Sequence, residues 1–510
     1  GVRKSESCTG TIYGPLCVVF LGLLIPRAFS LGADLIKHGL SISPPFPRSF
    51  GPDFLFLGVA CLTTSYVVAP DDWAAIVIYA VLGLLLAIYR IYQISRDKPD
   101  EVINNVFLTF TIAFVLYFLI GPLMQVFGNI DDLEFSRNFF EVTAPKATIV
   151  MGANIVGFGI TLIVGRSLQY RSFANYAIRF SSQNTIHKIP RIELIIISVG
   201  LLFKLFVLYN DLFVGEVISG IYRIAQMLCP MGIFLYFRGS TFNLKPKSIL
   251  VVTAVGIYSL CGLLEFNKTE IFLPFIAIIG GVFVRDLRFK RLTISLVMLV
   301  IALEIIQPFN LDARNEAISR TRPTVADRLD IYQNAFNGDY ITTSARRAGI
   351  WARLDYTAPN IAAMWLYDNG NGGDSYKLIP WLFVPRLLYP DKPETTTAGT
   401  VFTDKLHGYN SSSTGVGLFI SGYYDLGWFG LVLASVLSGI VLAWYRAVLV
   451  AAQVSKSTML LVLGSLGHWT AFFVNGDYVA SYVGTWVISF YLLVMIFIAQ
   501  KVIYGRKIGI

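Results

Sequence analysis

Apolar residues in this chain run rather than alternate. Stretches long enough for a helix to cross a hydrocarbon core of about 30 Å, which takes about 20 residues, recur near 53–70, 73–94, 102–127, 147–165, 193–209, 213–237, 247–264, 270–284, 292–308, 416–446, 457–474 and 480–500, with a weaker run near 12–31. The pattern predicts an all-α polytopic membrane protein of about 12–14 transmembrane helices. Unbroken runs of this kind exclude a β-barrel, whose strands alternate. Several runs contain Gly or Pro, which membrane helices tolerate where neighbours satisfy the freed backbone groups. One long segment, Phe309 to Gly415, breaks the pattern: it is polar and crowded with arginines and aromatics. A connection of about a hundred residues is too expensive to order unless it is used. The expected division is therefore a transmembrane bundle over 1–308, a catalytic loop with short helices over 309–415, and C-terminal spans over 416–510.

Composition sharpens the class. Hydrophobic residues make up 55% of the chain and charged ones only 14%, far from the balance of a soluble domain. The basic short loops hold Arg90/Arg96/Lys98, Arg166/Arg171/Arg179/Lys188/Arg191, Arg238/Lys245/Lys247, Arg285/Arg288/Lys290/Arg291, Arg446/Lys456 and the tail Lys501/Arg506/Lys507. The alternate loops, at Asp131–Glu134, Asn210-Asp211 and Asn475–Asp477, are acidic or neutral. Short basic loops stay on the cytoplasmic side, so the 309–415 segment faces outward despite its 11 Lys and Arg, long loops being exempt from the rule. The net charge of +9 is then spent on topology and anionic lipid, and implies no nucleic-acid partner. The five cysteines, Cys8, Cys17, Cys61, Cys229 and Cys261, have no metal or disulfide spacing and are expected to be buried apolar thiols. An opening at Gly1 rather than Met is expected of an introduced boundary.

The outer segment is punctuated like folded structure. Thr324-Val325-Ala326-Asp327 has capping-box character and Asn337-Gly338 supplies a stop, which predicts a helix near 324–337. A second helix is expected near 343–357, capped by Thr343 or Ser344. On it Arg346 and Arg353 share a face, with Arg347 to one side. A third should start at Pro359 and end at Asp368-Asn369-Gly370. Beyond Gly372-Gly373, the stretch from Tyr376 to Glu394 is apolar enough to enter the interface, but its four prolines prevent a plain transmembrane helix. Within the spans, Arg223 could extend an anion site into the bundle, whereas Lys204 is expected to snorkel or to pair with a glutamate.

Gly373, Tyr376, Pro385-Arg386, Tyr389-Pro390 and Lys392-Pro393, followed by Ser421-Gly422-Tyr423-Tyr424-Asp425-Leu426-Gly427 at the head of the next span, resemble the outer-loop signature of the bacterial oligosaccharide repeat-unit (Wzy-type O-antigen and capsule) polymerases. The match covers about 80 residues. It departs from the family pattern at Ser421, where an acid is usual. The resemblance, which extends to the related O-antigen ligases, implies a GT-C-like fold at the outer face of the bacterial cytoplasmic membrane. It also implies an undecaprenyl-pyrophosphate-linked oligosaccharide as substrate, with membrane lipids and a chain-length regulator protein as partners.

The residue types suit that chemistry. A lipid pyrophosphate leaving group calls for fixed cations, and arginine's planar fork binds phosphate better than lysine. Of the loop's eight arginines, Arg353 and Arg386 are the favoured clamp, with Arg346 or Arg347 supporting; Tyr424 and Lys392 are further substrate-binding candidates, Lys392 serving equally well as an interface anchor. Arg314, Arg320, Arg322 and Arg328 are expected more often in structural pairs. A general base must take the acceptor proton: His407, the only histidine of the loop, Asp425 and Asp391 are the candidates, with helix capping the alternative role for Asp425. No cofactor is implied, and the absence of a DxD pair or spaced His cluster argues against a metal. A ligase delivering glycan to lipid A and a transporter or flippase of lipid-linked oligosaccharide remain the alternatives. Two-repeat organisation with broken helices would mark the transporter.

Overall fold

The computed structural model describes residues 50–97, 105–127, 142–168, 192–210, 225–239, 246–286, 324–337, 354–384, 398–407, 415–455 and 458–494, with isolated positions between 294 and 316 and at 389, 392 and 393. Every element among the described residues is helical: α1 Phe50–Thr64, α2 Ala74–Asp97, α3 Val106–Phe127, α4 Ala144–Ser167, α5 Ile192–Tyr209, α6 Leu228–Gly239, α7 Pro246–Leu264, α8 Lys268–Asp286, α9 Val325–Asn337, α10 Thr357–Asp368, α11 Ala398–His407, α12 Leu418–Ser455, α13 Thr458–Phe472 and α14 Tyr478–Val494. Five are long and apolar enough to cross a membrane, over Ala74–Gln93, Val106–Phe127, Ala144–Ser167, Pro246–Leu264 and Leu418–Ala452. Four shorter apolar helices accompany them. The fold is thus the expected all-α one of membrane type. Of the further expected spans, that near 12–31 and much of those near 213–237 and 292–308 lie outside the described residues.

The chain divides into two compact units, Gly1–Asn184 with Trp351–Ile510, and Thr185–Ile350. In the first, α1 and α4 run antiparallel along a seam of glycines set a heptad apart. A Cβ on Gly58 would lie 2.7 Å from the Val156 amide nitrogen, and one on Gly159 2.7 Å from that of Leu55. Lipid-exposed helices have little hydrophobic drive to associate, so close backbone approach through small residues does the work. Beside this seam lies an aromatic core. Phe158 stacks on Phe114 at 4.0 Å between centroids, with Phe54, Phe110 and Phe419 packed around them. Phe114 is followed in α3 by a π-helical stretch, Val115–Ile120, the kind of irregularity that marks special sites in membrane helices.

The second unit is organised around the turn between α7 and α8, where Phe266 has φ 54°. Lys204, fully buried on α5, reaches this turn and pairs with Glu265 at 2.6 Å and with Glu270, the pairing expected of a buried lysine. The exposed carbonyls at the end of α7 are taken by α9. Tyr332 donates to Leu263 at 3.0 Å, and Arg328 donates to Leu264 while lying over the Phe266 ring. Thr324 and Asp327 form the anticipated capping box, at 2.8 Å from the Thr324 nitrogen to the carboxylate and 3.3 Å from the Asp327 nitrogen to the hydroxyl. Arg328 is therefore employed structurally at the α7 terminus.

The 416–446 run departs from expectation. Helix α12 is broken at Leu426 (φ −140°, ψ 19°) and Gly427 (φ 62°, ψ −147°). A Cβ on Gly422 would meet the Gly430 carbonyl oxygen at 2.3 Å and the Ala434 Cβ at 2.8 Å. In a straight helix Gly422 and Gly430 would stand about 12 Å apart, so the chain folds back on itself at Gly427. The first arm, 418–425, lies against the second, and only the residues from 428 to 452, about 37 Å of helix, are available to cross. Hydropathy merged the two because both arms are apolar. A methyl at Gly422 blocks this closure. Gly422→Ala should lower stability by about 1–3 kcal/mol, as overpacking does, while Gly256→Ala, which meets nothing within 4 Å, should leave it unchanged. Thermal unfolding in detergent compares the two, and equal midpoints would contradict the fold-back.

Candidate functional site

At the break in α12 the stretch from Leu354 to Leu382 packs back on its own unit, beginning from a docked entry segment. Gly121 accommodates the Leu354 carbonyl, Asp355 accepts from the Thr357 amide at 2.9 Å, and Asn475 donates to the Tyr356 hydroxyl at 2.8 Å. Asp355 thereby orders the first turn of α10, which begins two residues before the anticipated Pro359 and stops, as anticipated, at Asp368. The chain then turns through Gly370 (φ 77°), a left-handed position that suits glycine. It passes through a short 3-10 turn, Ser375–Leu378, and a single helical turn, Ile379–Leu382. The prolines limit both, as the sequence implied.

Asp425, the last residue of the first arm, receives this turn. It is 5% exposed. Its Oδ1 accepts from the Ser375 amide at 3.2 Å, and its Oδ2 from the Tyr376 amide at 3.1 Å, the Tyr478 hydroxyl at 3.0 Å and the Ser375 hydroxyl. Gly373 donates to the Tyr424 carbonyl at 2.8 Å. It has to be glycine: a Cβ there would sit 2.5 Å from both the Tyr424 ring and Asp425 Oδ1. Ser421, where the resemblance lacks its acid, accepts from the Tyr478 amide at 3.2 Å and so ties the arm to α14. Three stretches distant in sequence, 373–376, 421–425 and 478, are thus fastened through one carboxylate. A carboxylate so fully engaged works as a clasp, because buried donors left unmade are penalised.

Tyr424 packs its ring against Phe402 at 5.5 Å, under the Lys405 ammonium at 5.7 Å; its hydroxyl is buried and makes no hydrogen bond. Lys405 donates to the Gly372 carbonyl at 2.7 Å. Lys392 donates to Val384 at 3.0 Å, closing the proline-rich stretch over Trp381 and Tyr389, whose rings lie 5.2 Å apart. His407 ends α11, its side chain outside the described residues. Asp391, Arg223, Arg346, Arg347, Arg353 and Arg386 lie outside them altogether, as do Arg314, Arg320, Arg322 and most of the helix expected near 343–357. Among the candidate residues the structure therefore brings together Tyr424 and Asp425.

In the sequence Asp368 reads as a helix end and Asp477 as part of an acidic loop, and neither carries a chemical assignment. Asp477 caps α14, accepting from the Ala480 amide at 2.7 Å. Burial pushes its pKa up to about 6, the backbone hydrogen bonds opposing the shift. Asp368 closes α10 and accepts from the Tyr423 hydroxyl at 2.9 Å.

Comparison with known proteins finds no matching family model, no curated relative and no solved structure of similar fold.

Removing the clasp should free the turn it holds. In Asp425→Ala the Ser375 and Tyr376 amides lose their acceptor, and their hydrogen exchange should accelerate by an amount equivalent to about 1–3 kcal/mol; unchanged protection would refute the clasp. For Asp477 the folded-state pKa lies above the unfolded value, so its contribution is favourable at low pH and is lost as pH rises through about 6. Asp477→Asn keeps the cap and should flatten this dependence in thermal melts between pH 4 and 7; Asp477→Ala should flatten it likewise but lie about 1 kcal/mol below the asparagine variant at every pH, because the cap is lost.

Proposed function

We propose that this chain is a glycosyltransferase of GT-C-like architecture that polymerises undecaprenyl-pyrophosphate-linked oligosaccharide repeat units at the outer face of the bacterial cytoplasmic membrane. The observation that carries the reading is a convergence. The two separated parts of the polymerase-like signature, Gly373 with Tyr376 and the Ser421–Gly427 element, are bonded directly to each other through Gly373 to Tyr424 and through Ser375 and Tyr376 to Asp425. A signature whose halves fold into one structure at the end of a membrane bundle is what a site built from an outer loop and a span requires.

In this reading the acceptor hydroxyl attacks the anomeric carbon of the lipid-linked chain, the anomeric C–O bond to phosphate breaks, and the lipid pyrophosphate leaves with the bonding electrons. Arg353 and Arg386 are assigned to the departing pyrophosphate, since stabilising developing charge is generally the largest catalytic contribution. The clasp at Asp425 fixes the turn that leads to Arg386, so its part is positioning.

Deletion of the gene in its source bacterium, followed on gels of surface glycan and lipid-linked precursors, tests the reading. A single-repeat product in place of the ladder is expected. Loss of all surface glycan with accumulated lipid-linked polymer would identify a ligase, and unchanged glycan would favour a transporter. Arg353→Ala and Arg386→Ala should each abolish polymer while the protein remains abundant in the membrane, and lysine at either position should restore it only in part because the bidentate geometry is lost. Full-length polymer from both alanine variants would remove the arginines from the mechanism.

A further inference from the structure

Next to the clasp lies a second carboxylate in a contrasting setting. Asp368 is exposed, and its Oδ1 accepts from Tyr423, two residues before Asp425 on the same arm. Its Oδ2 takes no hydrogen bond among the described residues. The Tyr423 ring is itself wedged between Tyr367 at 5.4 Å and Trp428 at 5.3 Å, both edge-on. Gly427 lets the chain turn against Tyr367, since a Cβ there would lie 2.7 Å from its ring. The orienting hydroxyl is therefore held rigidly by the same fold-back that makes the clasp. Trp365, one helical turn before Asp368 on α10 and so on its face, leaves 55% of its surface exposed, and Tyr66 58%. An oriented carboxylate with one open oxygen beside exposed aromatic rings has the chemistry to bind a sugar, rings meeting its C–H face and the carboxylate meeting a hydroxyl.

Resting on the polymerase reading, we propose that Asp368 is the general base of the reaction, its open Oδ2 accepting the proton of the acceptor sugar hydroxyl as that oxygen bonds to the anomeric carbon. Tyr423 is its positioning residue, and Trp365 forms the platform for the acceptor sugar. The proton passes to the carboxylate and the electrons of the broken C–O bond leave with the pyrophosphate, so the step balances without a further reagent. The setting also tunes the group. Packing on one side raises the Asp368 pKa above the usual aspartate range, and the Tyr423 hydrogen bond pulls it back, which moves a carboxylate toward the basicity such a role needs. The titratable groups around it are Tyr367 on its own helix, Tyr423 on the α12 arm, and Tyr66, which interacts electrostatically with Tyr423. Lys405 is held at the Asn371 and Gly372 carbonyls just beyond the helix end.

The test is complementation of the deletion strain with wild type, Asp368→Asn, Asp368→Glu and Tyr423→Phe, together with rates against pH in membranes supplied with lipid-linked repeat units. Asparagine still offers Tyr423 an acceptor but cannot take a proton. Asp368→Asn should therefore reach wild-type levels on immunoblots yet give the single-repeat product, with the rate lowered at least about 100-fold. Asp368→Glu should recover part of that loss. Tyr423→Phe should be slower and should move the acid limb of the pH profile to higher pH, because the bond that lowers the Asp368 pKa is gone; a merely structural tyrosine would leave the limb in place. A full ladder at wild-type rate from Asp368→Asn overturns the assignment and leaves the polymerase reading intact. If Asp368→Asn is lost from the membrane, the Tyr423→Phe limb decides, and an unmoved limb overturns the assignment. Wild type that makes no polymer from repeat units, in a strain whose ladder survives deletion, rejects the polymerase reading itself and this assignment with it.

Discussion

A break inside a membrane helix is tolerable only if something satisfies the backbone groups it frees and holds the two arms in place. In this protein the break at Leu426 and Gly427 is secured by the Asp425 carboxylate, and most of what is distinctive in the first unit follows from that bond set. Because the arm ends in an acceptor, the turn after α10 has a fixed landing point. Because the turn lands there, Gly373 is pressed against the Tyr424 ring and the proline-rich stretch begins in register. Because Tyr478 donates to the same oxygen, the start of α14 is drawn in as well. Removing the carboxylate would take four hydrogen bonds from these segments and leave Gly373 to Tyr424 and Tyr478 to Ser421, whereas removing any one donor would leave the others.

The segment that hydropathy presents as one outer loop is shared between two bodies. Helix α9 belongs with the second unit, where Arg328 and Tyr332 close the α7 terminus. Residues from Trp351 onward belong with the first. A substitution in the early part of this segment therefore tests the packing of the α7 to α8 turn. Only one in the later part bears on the clasp and its neighbours. The same division separates arginines that a composition-based argument would group together.

Local chemistry was legible in the sequence wherever it was self-contained. The capping box at Thr324 and Asp327, the end of α10 at Asp368 and the burial of Cys61, Cys229 and Cys261 depend on neighbours in sequence or on a single side chain's hydrophobicity. The pairing of Lys204 was legible only as one of two outcomes, snorkelling or a glutamate partner, because Glu265 and Glu270 stand 61 and 66 residues away. The fold-back was illegible because a sliding average of hydropathy cannot tell one apolar helix from two. The signal was present in another form: an aspartate inside an apolar run, followed two residues later by a glycine and flanked by Gly422 and Gly430. A charge placed there needs partners, and glycines on both sides of it allow the close approach that supplies them.

The contrast between the two aspartates is the clearest functional statement the first unit makes. Both accept a tyrosine hydroxyl, Asp368 from the broken helix and Asp425 from α14, and yet their surroundings differ. Asp425 has its two oxygens committed to four donors and is buried, so it is spent on holding the 375–376 turn and Tyr478. Asp368 has one oxygen committed and one open, and a helix C-terminus, where negative charge is disfavoured, adds to the packing that raises its proton affinity. Carboxylates whose environments diverge in this way commonly divide structural or electrostatic duty from proton transfer. Tyr423, which orients Asp368, and Asp425 itself lie two residues apart on the same arm, so one fold-back places both. It holds the 373–376 turn in place, and through Tyr423 it orients the exposed Asp368 carboxylate.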